Sequence, residues 1–394
     1  MYNEKMALLG KKRSTIREIF EYGNRRANEI GRDNIFDFSL GNPSVPAPSC
    51  VNETIERLAN GFDSVSLHGY TSAQGAFDVR KSIADYINGK YSAGITPDCL
   101  YMTCGAAASL TICVNALCEE DDEFITFTPF FPEYRVFVEA AGGKLVAVMS
   151  EDGTFQIDES RLEAAVNVRT KAVIVNSPNN PSGVVLDRES IDALCGILRR
   201  KSEEYGRPIF LIADEPYREL VYDGQEVPFL TKLYDDTVVC YSYSKSLSLP
   251  GDRIGYVLVG PKAADRGALY AAVAGAGRSL GYVCAPTLMQ RVIARCTGQT
   301  SDLRVYRENR DLLYNALTAM GYEAVYPDGA FYLFVKVPGN DAGDFSERAK
   351  AHGLLLVPSD SFGCGGYVRI AYCVSTDMIR RSLPAFEELM REYR

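Results

Sequence analysis

The feature that most limits the fold is an alternation between short apolar runs and amphipathic helical stretches that starts near residue 50. The apolar runs lie at 99–103, 123–127, 144–148, 172–175, 209–213, 238–242 and 255–259. Helical patterns fall between them, at about 75–90, 106–119, 131–141, 158–166, 187–204 and 261–275. Strands that alternate with helices predict a predominantly parallel sheet with helices on both faces.

The two ends of the chain follow a different pattern. Thr15-x-x-Glu18 predicts a capping box that opens a helix ending near Gly31. A long helix is predicted at about 286–319, followed by hairpin-like strands around 330–337 and 366–373 and an amphipathic terminal helix. We therefore predict a large α/β domain, residues 48–284, with a mainly parallel seven-stranded sheet. A smaller α+β domain is predicted from both termini, residues 1–47 and 285–394.

Composition excludes several classes of protein. The 394 residues carry a formal net charge of −9, and no basic run is longer than Lys11-Lys12-Arg13, which argues against a nucleic-acid partner. No segment approaches the ~20 apolar residues of a membrane span, so no membrane association is expected. Apolar content of 46% and charged content of 24% are ordinary for a globular protein.

Cysteine and histidine usage also restricts the chemistry. The eleven cysteines include no Cys-x-x-Cys pair, and most stand in apolar contexts, which predicts reduced thiols in a cytoplasmic protein. The only histidines, His68 and His352, have no metal-ligand partner at useful spacing. Neither a metal site nor a Ser-His-Asp triad is expected.

A lysine motif stands at the end of one predicted strand. Lys245 follows Ser242 and Ser244, and Arg253 comes eight residues later. An amine in this position can form a Schiff base with a carbonyl cofactor, while hydroxyls and an arginine suit a phosphate. The pattern resembles the pyridoxal phosphate lysine motif of the class I/II aminotransferases, although a serine-rich turn with a surface lysine is a common alternative.

Other motifs follow predicted strands in the order typical of that family. Asp214 comes directly after 209–213, at the strand end where open α/β sheets place ligand-binding groups. Its carboxylate could pair with a protonated pyridine nitrogen, and Tyr217 could donate to the ring oxygen. The alternative is an acid that caps the next helix. Asn180 lies in Asn-Pro-Ser-Gly, which alone indicates only a turn.

Two further segments supply candidate anion sites. Gly105, Ala106 and Ala107 open a helix after a strand, and backbone N–H groups at a helix N-terminus bind phosphate. Arg369 lies inside an apolar strand, where a buried cation needs an anionic partner.

The resemblance runs from about residue 35 to 375 and implies the pyridoxal phosphate fold type I, the group that contains aspartate aminotransferase. It implies a phosphate cup at Gly105, Ala106 and Ala107. By the same resemblance Asn180 contacts the cofactor's ring oxygen and the substrate carboxylate, and Arg369 grips the α-carboxylate. Phe131 matches the aromatic that stacks on the pyridine, with core packing as the alternative. Gly41 and Asn42 match a substrate loop.

The family likeness also implies a homodimer with shared active sites, because the tyrosine matching Tyr70 reaches the neighbouring subunit's phosphate site. The expected function is transfer of an amino group between an L-amino acid and a 2-oxo acid, with Lys245 as Schiff base and proton-transfer residue and with Asp214 and Tyr217 assisting.

Three alternatives bear on this expectation. A carbon–sulfur β-lyase or related synthase on the same fold remains open. A regulatory protein on this scaffold usually carries a fused DNA-binding module, and residues 1–35 show one helix and no helix-turn-helix. A nicotinamide-dependent enzyme is rejected, because the glycines of 275–281 miss the G-x-G-x-x-G spacing.

The amino donor is left open by the sequence. Arg278 lies 33 residues after Lys245, near the place where dicarboxylate-specific relatives bring an arginine across the dimer interface. That supports aspartate or glutamate, whereas a surface arginine is the alternative. Phe130, Phe131 and Tyr332 could instead line an apolar pocket for aromatic or small neutral donors.

Overall fold

A computed structural model describes residues 2–11 and 14–394. Lys12 and Arg13 of the short basic run lie outside the described residues. The strands are β1 (Phe36–Asp37), β2 (Leu100–Thr103), β3 (Glu123–Thr128), β4 (Lys144–Met149), β5 (Thr170–Asn176), β6 (Phe210–Asp214), β7 (Thr237–Ser242), β8 (Gly255–Val259), β9 (Glu323–Val325), β10 (Tyr332–Lys336), β11 (Leu354–Leu355), β12 (Val357–Pro358) and β13 (Tyr367–Ala371).

Helices occupy most of the remaining chain. They are α1 (Glu4–Lys11), α2 (Thr15–Ile30), α3 (Ser49–Gly61), α4 (Ser64–His68), α5 (Phe77–Tyr91), α6 (Ala106–Leu117), α7 (Glu133–Ala140), α8 (Glu159–Ala165), α9 (Arg188–Tyr205), α10 (Tyr243–Ser246), α11 (Arg266–Ser279), α12 (Thr287–Cys296), α13 (Leu303–Ala319), α14 (Ala342–Ala351) and α15 (Thr376–Arg391).

The large sheet confirms the predicted architecture. Its seven strands run in the order β2-β8-β7-β6-β5-β3-β4, and all are parallel except β8, which is antiparallel to both neighbours. The central strands β5, β6 and β7 are buried almost throughout, as expected for a sheet covered on both faces. Helices α6 and α11 contribute to the core on one face, and α3, α5, α9 and α12 to the core on the other.

A second core encloses the predicted hairpin. Strands β10 and β13 pair antiparallel, with β12 and β9 at the edges, and α13, α14 and α15 pack around them. Strand β1, from the N-terminal part, pairs in parallel with β11 near the C-terminus. Both ends of the chain therefore build the smaller α+β unit. The limits 48–284 against 1–47 and 285–394 stay a prediction, and α12, beyond residue 285, packs on α3 and α5.

Three predictions about helices were wrong. The described part of residues 1–35 holds two α-helices, α1 and α2, where one was predicted. The long helix at 286–319 is two helices, α12 and α13, because Gly298 adopts φ +85° between them and the Asp302 side chain accepts a hydrogen bond from the N–H of Arg304 to start the second. The capping box at Thr15 does not form. Helix α2 already begins at Thr15, and its N-cap, Ser14, makes no side-chain capping bond.

Two observations concern absences in the described part of the chain. Within residues 2–11 and 14–394, every helix is too short or too polar to cross a bilayer. The same residues contain no group of three or more histidine, cysteine or acidic side chains placed to hold a metal ion. All eleven cysteines lie in this part, and each is a free thiol.

Candidate active site

A cavity of about 280 Å³ opens where the carboxyl ends of β5, β6 and β7 face the second sheet. Its walls come from the large sheet, the N-terminus of α6, the loop after β1 and the strands β10 and β13. The lining residues are Ile16, Gly41, Ala106, Ala107, Leu110, Phe131, Asn176, Asn180, Asp214, Pro216, Tyr217, Ser242, Ser244, Lys245, Pro250, Arg253, Tyr332 and Arg369.

Lys245 stands in this cavity on the short helix α10, directly after β7. Ser242 caps α10 by accepting a hydrogen bond from the backbone N–H of Ser244 at 3.1 Å. The Lys245 Nζ donates to the Gly41 carbonyl at 2.6 Å. Burial lowers the pKa of Lys245 to about 8, since desolvation penalises the ammonium and Arg369 and Arg253 add positive charge. A lysine with this pKa is partly neutral at physiological pH and can act as a nucleophile or base.

Asp214 ends β6, the strand next to β7 in the large sheet, and its side chain is buried. Its Oδ2 accepts a hydrogen bond from the Tyr134 hydroxyl at 2.5 Å, whereas its Oδ1 is buried without any hydrogen-bond partner in the described chain. Burial raises the pKa of Asp214 to about 7, the hydrogen bond from Tyr134 lowers it, and the charge of Glu215 raises it. Tyr134 therefore holds one carboxylate oxygen of this cavity-lining residue, and the other oxygen lacks a donor.

The N-terminus of α6 forms one end of the cavity. Gly105 adopts φ +93°, and a Cβ placed on it would lie 3.1 Å from Nη2 of Arg253, so glycine lets the guanidinium approach the helix. The first turn of α6 has no side-chain cap. The hydroxyls of Ser242 and Ser244 lie 2.6 Å apart beside it. Free N–H groups, two hydroxyls and an arginine together suit a phosphate group.

Arg369 lies on β13 at the other end. Its Nη1 donates to Oδ1 of Asn180 at 3.0 Å and its Nη2 to the carbonyl of Ser39 at 2.5 Å, while its Nε is buried without a partner in the described chain. No ion pair joins this guanidinium to any carboxylate of the described residues. The ring of Tyr332 lies 4.6 Å beneath it. A buried guanidinium held only by neutral groups is ready to bind an anion.

Most residues predicted for the site come together in it. Ala106, Ala107, Phe131, Asn180, Asp214, Tyr217, Ser242, Ser244, Lys245, Arg253, Arg369 and Gly41 all line the cavity, and Gly105 directly precedes them. Asn42 and Tyr70 do not line it. Both are exposed, and the Tyr70 side chain is 89% exposed on the loop after α4.

Several lining residues were not predicted for the site, and they share a lack of local sequence signal. Ile16 reaches the cavity from α2, Leu110 from the second turn of α6, and Asn176 from the end of β5. The carboxamide of Asn176 donates to the backbone carbonyl of Asp214 at 2.8 Å. Only the three-residue spacing from Phe131 to Tyr134 on a helix start could have suggested that Tyr134 lies nearby.

Comparison with known proteins agrees with this geometry. The family described as aminotransferase class I and II matches residues 33–386. An aspartate aminotransferase of Thermotoga maritima is 30% identical over 366 residues, covering 91% of this chain and 92% of that protein. The crystal structure of an amino transferase from Eubacterium rectale superposes with a TM-score of 0.98 at 57% identity, covering 100% of this chain and 99% of that one. That of the Thermus thermophilus aspartate aminotransferase with maleate gives 0.85 at 27% identity, covering 99% and 100%.

The fold and the site thus define a pyridoxal phosphate-dependent transaminase. The chain belongs to the class I and II aminotransferase family and transfers an amino group between an amino acid and a 2-oxo acid. The carbon–sulfur lyase alternative is not favoured.

The residues present fit the cofactor. The unpartnered Oδ1 of Asp214 suits a protonated ring nitrogen, and the α6 N-terminus with Arg253 suits a phosphate. When bound, pyridoxal phosphate supplies an electron sink for the bonds around the amino acid's α-carbon.

Proposed function

We propose that Lys245 is the residue to which pyridoxal phosphate attaches and the residue that moves the substrate's proton. The observation that supports this most directly is the position of its Nζ, on a cavity wall between the phosphate-suited end and Arg369, with a pKa lowered to about 8 by burial. The neutral amine can take the proton from the α-carbon of the bound substrate, and the ammonium so formed can donate it again later in the reaction.

The neighbouring residues each have a distinct proposed role. Asp214 holds the proton of the ring nitrogen through its free Oδ1. The Tyr217 hydroxyl, which lies 2.9 Å from that of Tyr332, donates to the ring oxygen together with Asn180. Phe131, two residues before the start of α7, covers the ring face.

We propose that the cofactor's phosphate binds at the end of the cavity formed by the N-terminus of α6. The residues that hold it there are Gly105, Ala106, Ala107, Ser242, Ser244 and Arg253. The α-carboxylate of either substrate is proposed to bind Arg369, with Asn180, Gly41 and Asn42 alongside. A bidentate arginine–carboxylate contact orients the α-carbon toward Lys245.

Reductive labelling tests the central assignment. Borohydride treatment of the purified, cofactor-loaded protein should fix the cofactor to the peptide that contains Lys245. A Lys245→Ala variant should take no label and lose activity by about 10⁴-fold or more, since attachment and proton transfer both go. Label on any other lysine would remove the whole assignment.

A homodimer with shared sites is proposed from an exposed apolar surface around Tyr70. Val65 (82% exposed), Tyr70 (89%) and Val283 (59%) belong to it. The segments are contiguous, because the Thr287 hydroxyl donates to the Gly69 carbonyl at 2.7 Å. Contiguous exposed apolar side chains are typical of a protein interface. Mass measurement in solution should give a dimer, and Tyr70→Phe should weaken cofactor retention without abolishing turnover. A fully active monomer would contradict this proposal.

For the amino donor we propose aspartate or glutamate. Two relatives support it: one is named an aspartate aminotransferase, and the solved Thermus thermophilus structure is an aspartate aminotransferase with maleate, a dicarboxylate. Arg278 is exposed in the last turn of α11, near Val283 in the chain, so the proposed dimer could bring it to the partner's cavity.

A specific observation favours a second candidate, aromatic or small neutral donors. The cations that line the described cavity are Lys245, Arg253 and Arg369, and each already has a proposed role. Apolar Ile16, Leu110 and Phe131 share the lining. A panel of amino donors with 2-oxoglutarate separates the two. Poor turnover of both aspartate and glutamate would exclude the dicarboxylate proposal, and normal aspartate turnover in Arg278→Ala would exclude Arg278 as the residue that binds the distal carboxylate.

We propose the cytoplasm as the compartment. Eleven free cysteines, with Cys99, Cys113, Cys195, Cys240, Cys296 and Cys373 buried, support a reducing environment.

A further inference from the structure

Tyr134 is a fully buried tyrosine whose hydroxyl makes a single polar contact. It is the second residue of α7, is 1% exposed, and donates a hydrogen bond to Oδ2 of Asp214 at 2.5 Å. Its ring meets the edge of Phe131 at 5.7 Å between centroids, with the planes 85° apart. The same side chain therefore supports both the ring-stacking residue and the carboxylate.

The hydrogen bond decides which oxygen of Asp214 is available. A carboxylate at the end of a strand can rotate about its last torsion, so two oxygens could exchange places. Because Tyr134 occupies Oδ2, the unpartnered Oδ1 is the oxygen that remains for a bound group. The backbone of Asp214 is fixed separately, by the carboxamide of Asn176.

The same hydrogen bond acts on the charge of Asp214. Burial raises the pKa of this carboxyl to about 7, and the Tyr134 hydroxyl opposes that rise by donating to the ionised form. The other titratable groups facing it are Cys240 on β7 and Glu215 and Tyr217 on its own segment. Glu215 is paired with Arg218, so Tyr134 is the neighbour that favours ionisation most directly.

We propose that Tyr134 is a positioning residue for the transamination reaction: its hydroxyl fixes the orientation of Asp214 and keeps it ionised, so that Oδ1 can hold the proton of the cofactor's ring nitrogen. This inference rests on the role proposed for Asp214 and adds to it a residue that never touches the substrate.

The variant Tyr134→Phe tests it, because the ring and its contact with Phe131 remain and only the hydroxyl is lost. The matched control is Tyr322→Phe, which also removes one buried hydroxyl, donated at 2.8 Å to the carbonyl of Phe386 in the second core. Both variants should lose comparable thermal stability. The absorbance of the bound cofactor is then titrated against pH, because a variant that only loses stability should leave the midpoint of this titration unchanged.

In Tyr134→Phe the pH midpoint of the cofactor's absorbance change should rise by about half a unit or more. Without the hydroxyl, the ring nitrogen holds its proton less well, and a neutral nitrogen no longer repels the proton bound at the Lys245 nitrogen. The cofactor dissociation constant should rise about 10-fold, as for the loss of a hydrogen bond to a charged group. kcat should fall by a similar factor, with the KM of the amino donor changed less than about 2-fold. Tyr322→Phe should show none of these changes.

Asp214→Asn, measured in parallel, separates a failure of the role proposed for Tyr134 from a failure of the role proposed for Asp214. If Asp214→Asn loses turnover while Tyr134→Phe keeps the midpoint, dissociation constant and kcat of the parent, Tyr134 has no positioning role. If Asp214→Asn also behaves like the parent, the role proposed for Asp214 itself is wrong.

Discussion

The two walls of the cavity differ in what their buried polar groups lack. The wall built by the large sheet presents Asp214, whose Oδ1 is an acceptor without a donor. The wall built by the second sheet presents Arg369, whose Nε is a donor without an acceptor. Both side chains are almost completely buried, and neither forms an ion pair in the described chain.

This difference means that the two walls suit different ligand groups: the Asp214 wall suits a hydrogen-bond donor, and the Arg369 wall suits an acceptor. An unsatisfied buried polar atom costs about 1–3 kcal/mol, and more when it is charged, so each wall is destabilised until its partner binds. The role proposed for Asp214 matches the first wall to the protonated ring nitrogen of the cofactor, and the role proposed for Arg369 matches the second wall to the carboxylate of either substrate. Lys245 lines the same cavity as Asp214 and Arg369.

The largest effect is expected where the large-sheet wall loses its charge. Asp214→Asn should keep the cofactor but lower kcat by about 10³-fold or more, because an amide cannot hold the proton on the ring nitrogen. Glu215→Gln is the matched control, a neighbouring buried acid that does not line the cavity. It should lose stability and retain most of its turnover. A near-normal kcat in Asp214→Asn would show that the charge of Asp214 is not needed for turnover and would contradict the role proposed for this wall.

A pH experiment on cofactor-free protein isolates the same wall without catalysis. The pKa of Asp214 is raised by burial from its ordinary value of 3.8 to about 7. The folded state therefore keeps a proton that the unfolded chain releases between these pH values, and Asp214 destabilises the fold progressively from about pH 4 to pH 7 and constantly above. At 1.36 kcal/mol per pKa unit the full cost is about 4 kcal/mol.

Chemical denaturation at pH 4.5 and pH 8 measures that cost. Asp214→Asn should gain stability relative to the parent at pH 8 and little at pH 4.5. The exposed Asp235→Asn should follow the parent at both values. An Asp214→Asn advantage that does not grow with pH would show that this carboxylate is better solvated than its position indicates.

A smaller effect is expected at the second wall. Arg369→Lys keeps the charge but loses the planar pair of donors, so the KM of the amino donor should rise about 10- to 100-fold while the cofactor spectrum stays unchanged. The control is Arg310→Lys, an equally buried arginine that binds Asp223 and Asp311. It should lose stability and leave KM unaltered. A cofactor spectrum altered by Arg369→Lys would mean that the walls are not independent.

Much of the fold was accessible from the sequence. The apolar runs at 209–213 and 238–242 became β6 and β7, and both were recognised because strands buried on two faces are continuously apolar. Helices α1, α3, α4 and α14 and the short strands β1, β9, β11 and β12 were missed. Strands of two or three residues have no period to detect, since they are defined by their pairing partners.

The site residues, like the elements of the fold, divide into those that a local sequence pattern indicates and those that it does not. Lys245, Asp214 and Arg253 were predicted from local motifs, because each stands at or within a few residues of a strand end in the large sheet. Ile16 and Tyr134 carry no such motif. Whether Arg278 and Tyr70 reach a second copy of the chain stays a prediction.

The sequence by itself determined the order of the large-sheet strands, the class of chemistry and the lysine that is proposed to perform it, because these depend on residue type and on spacing within a few residues. Only the tertiary structure decided which groups stay unpaired. That Oδ1 of Asp214 is free while Tyr134 holds Oδ2, and that Arg369 meets Asn180 and no acid, depends on contacts between residues 80 and 189 positions apart. The first contact depends on how α7 packs on the large sheet, and the second depends on how the two cores meet, so no local pattern encodes either.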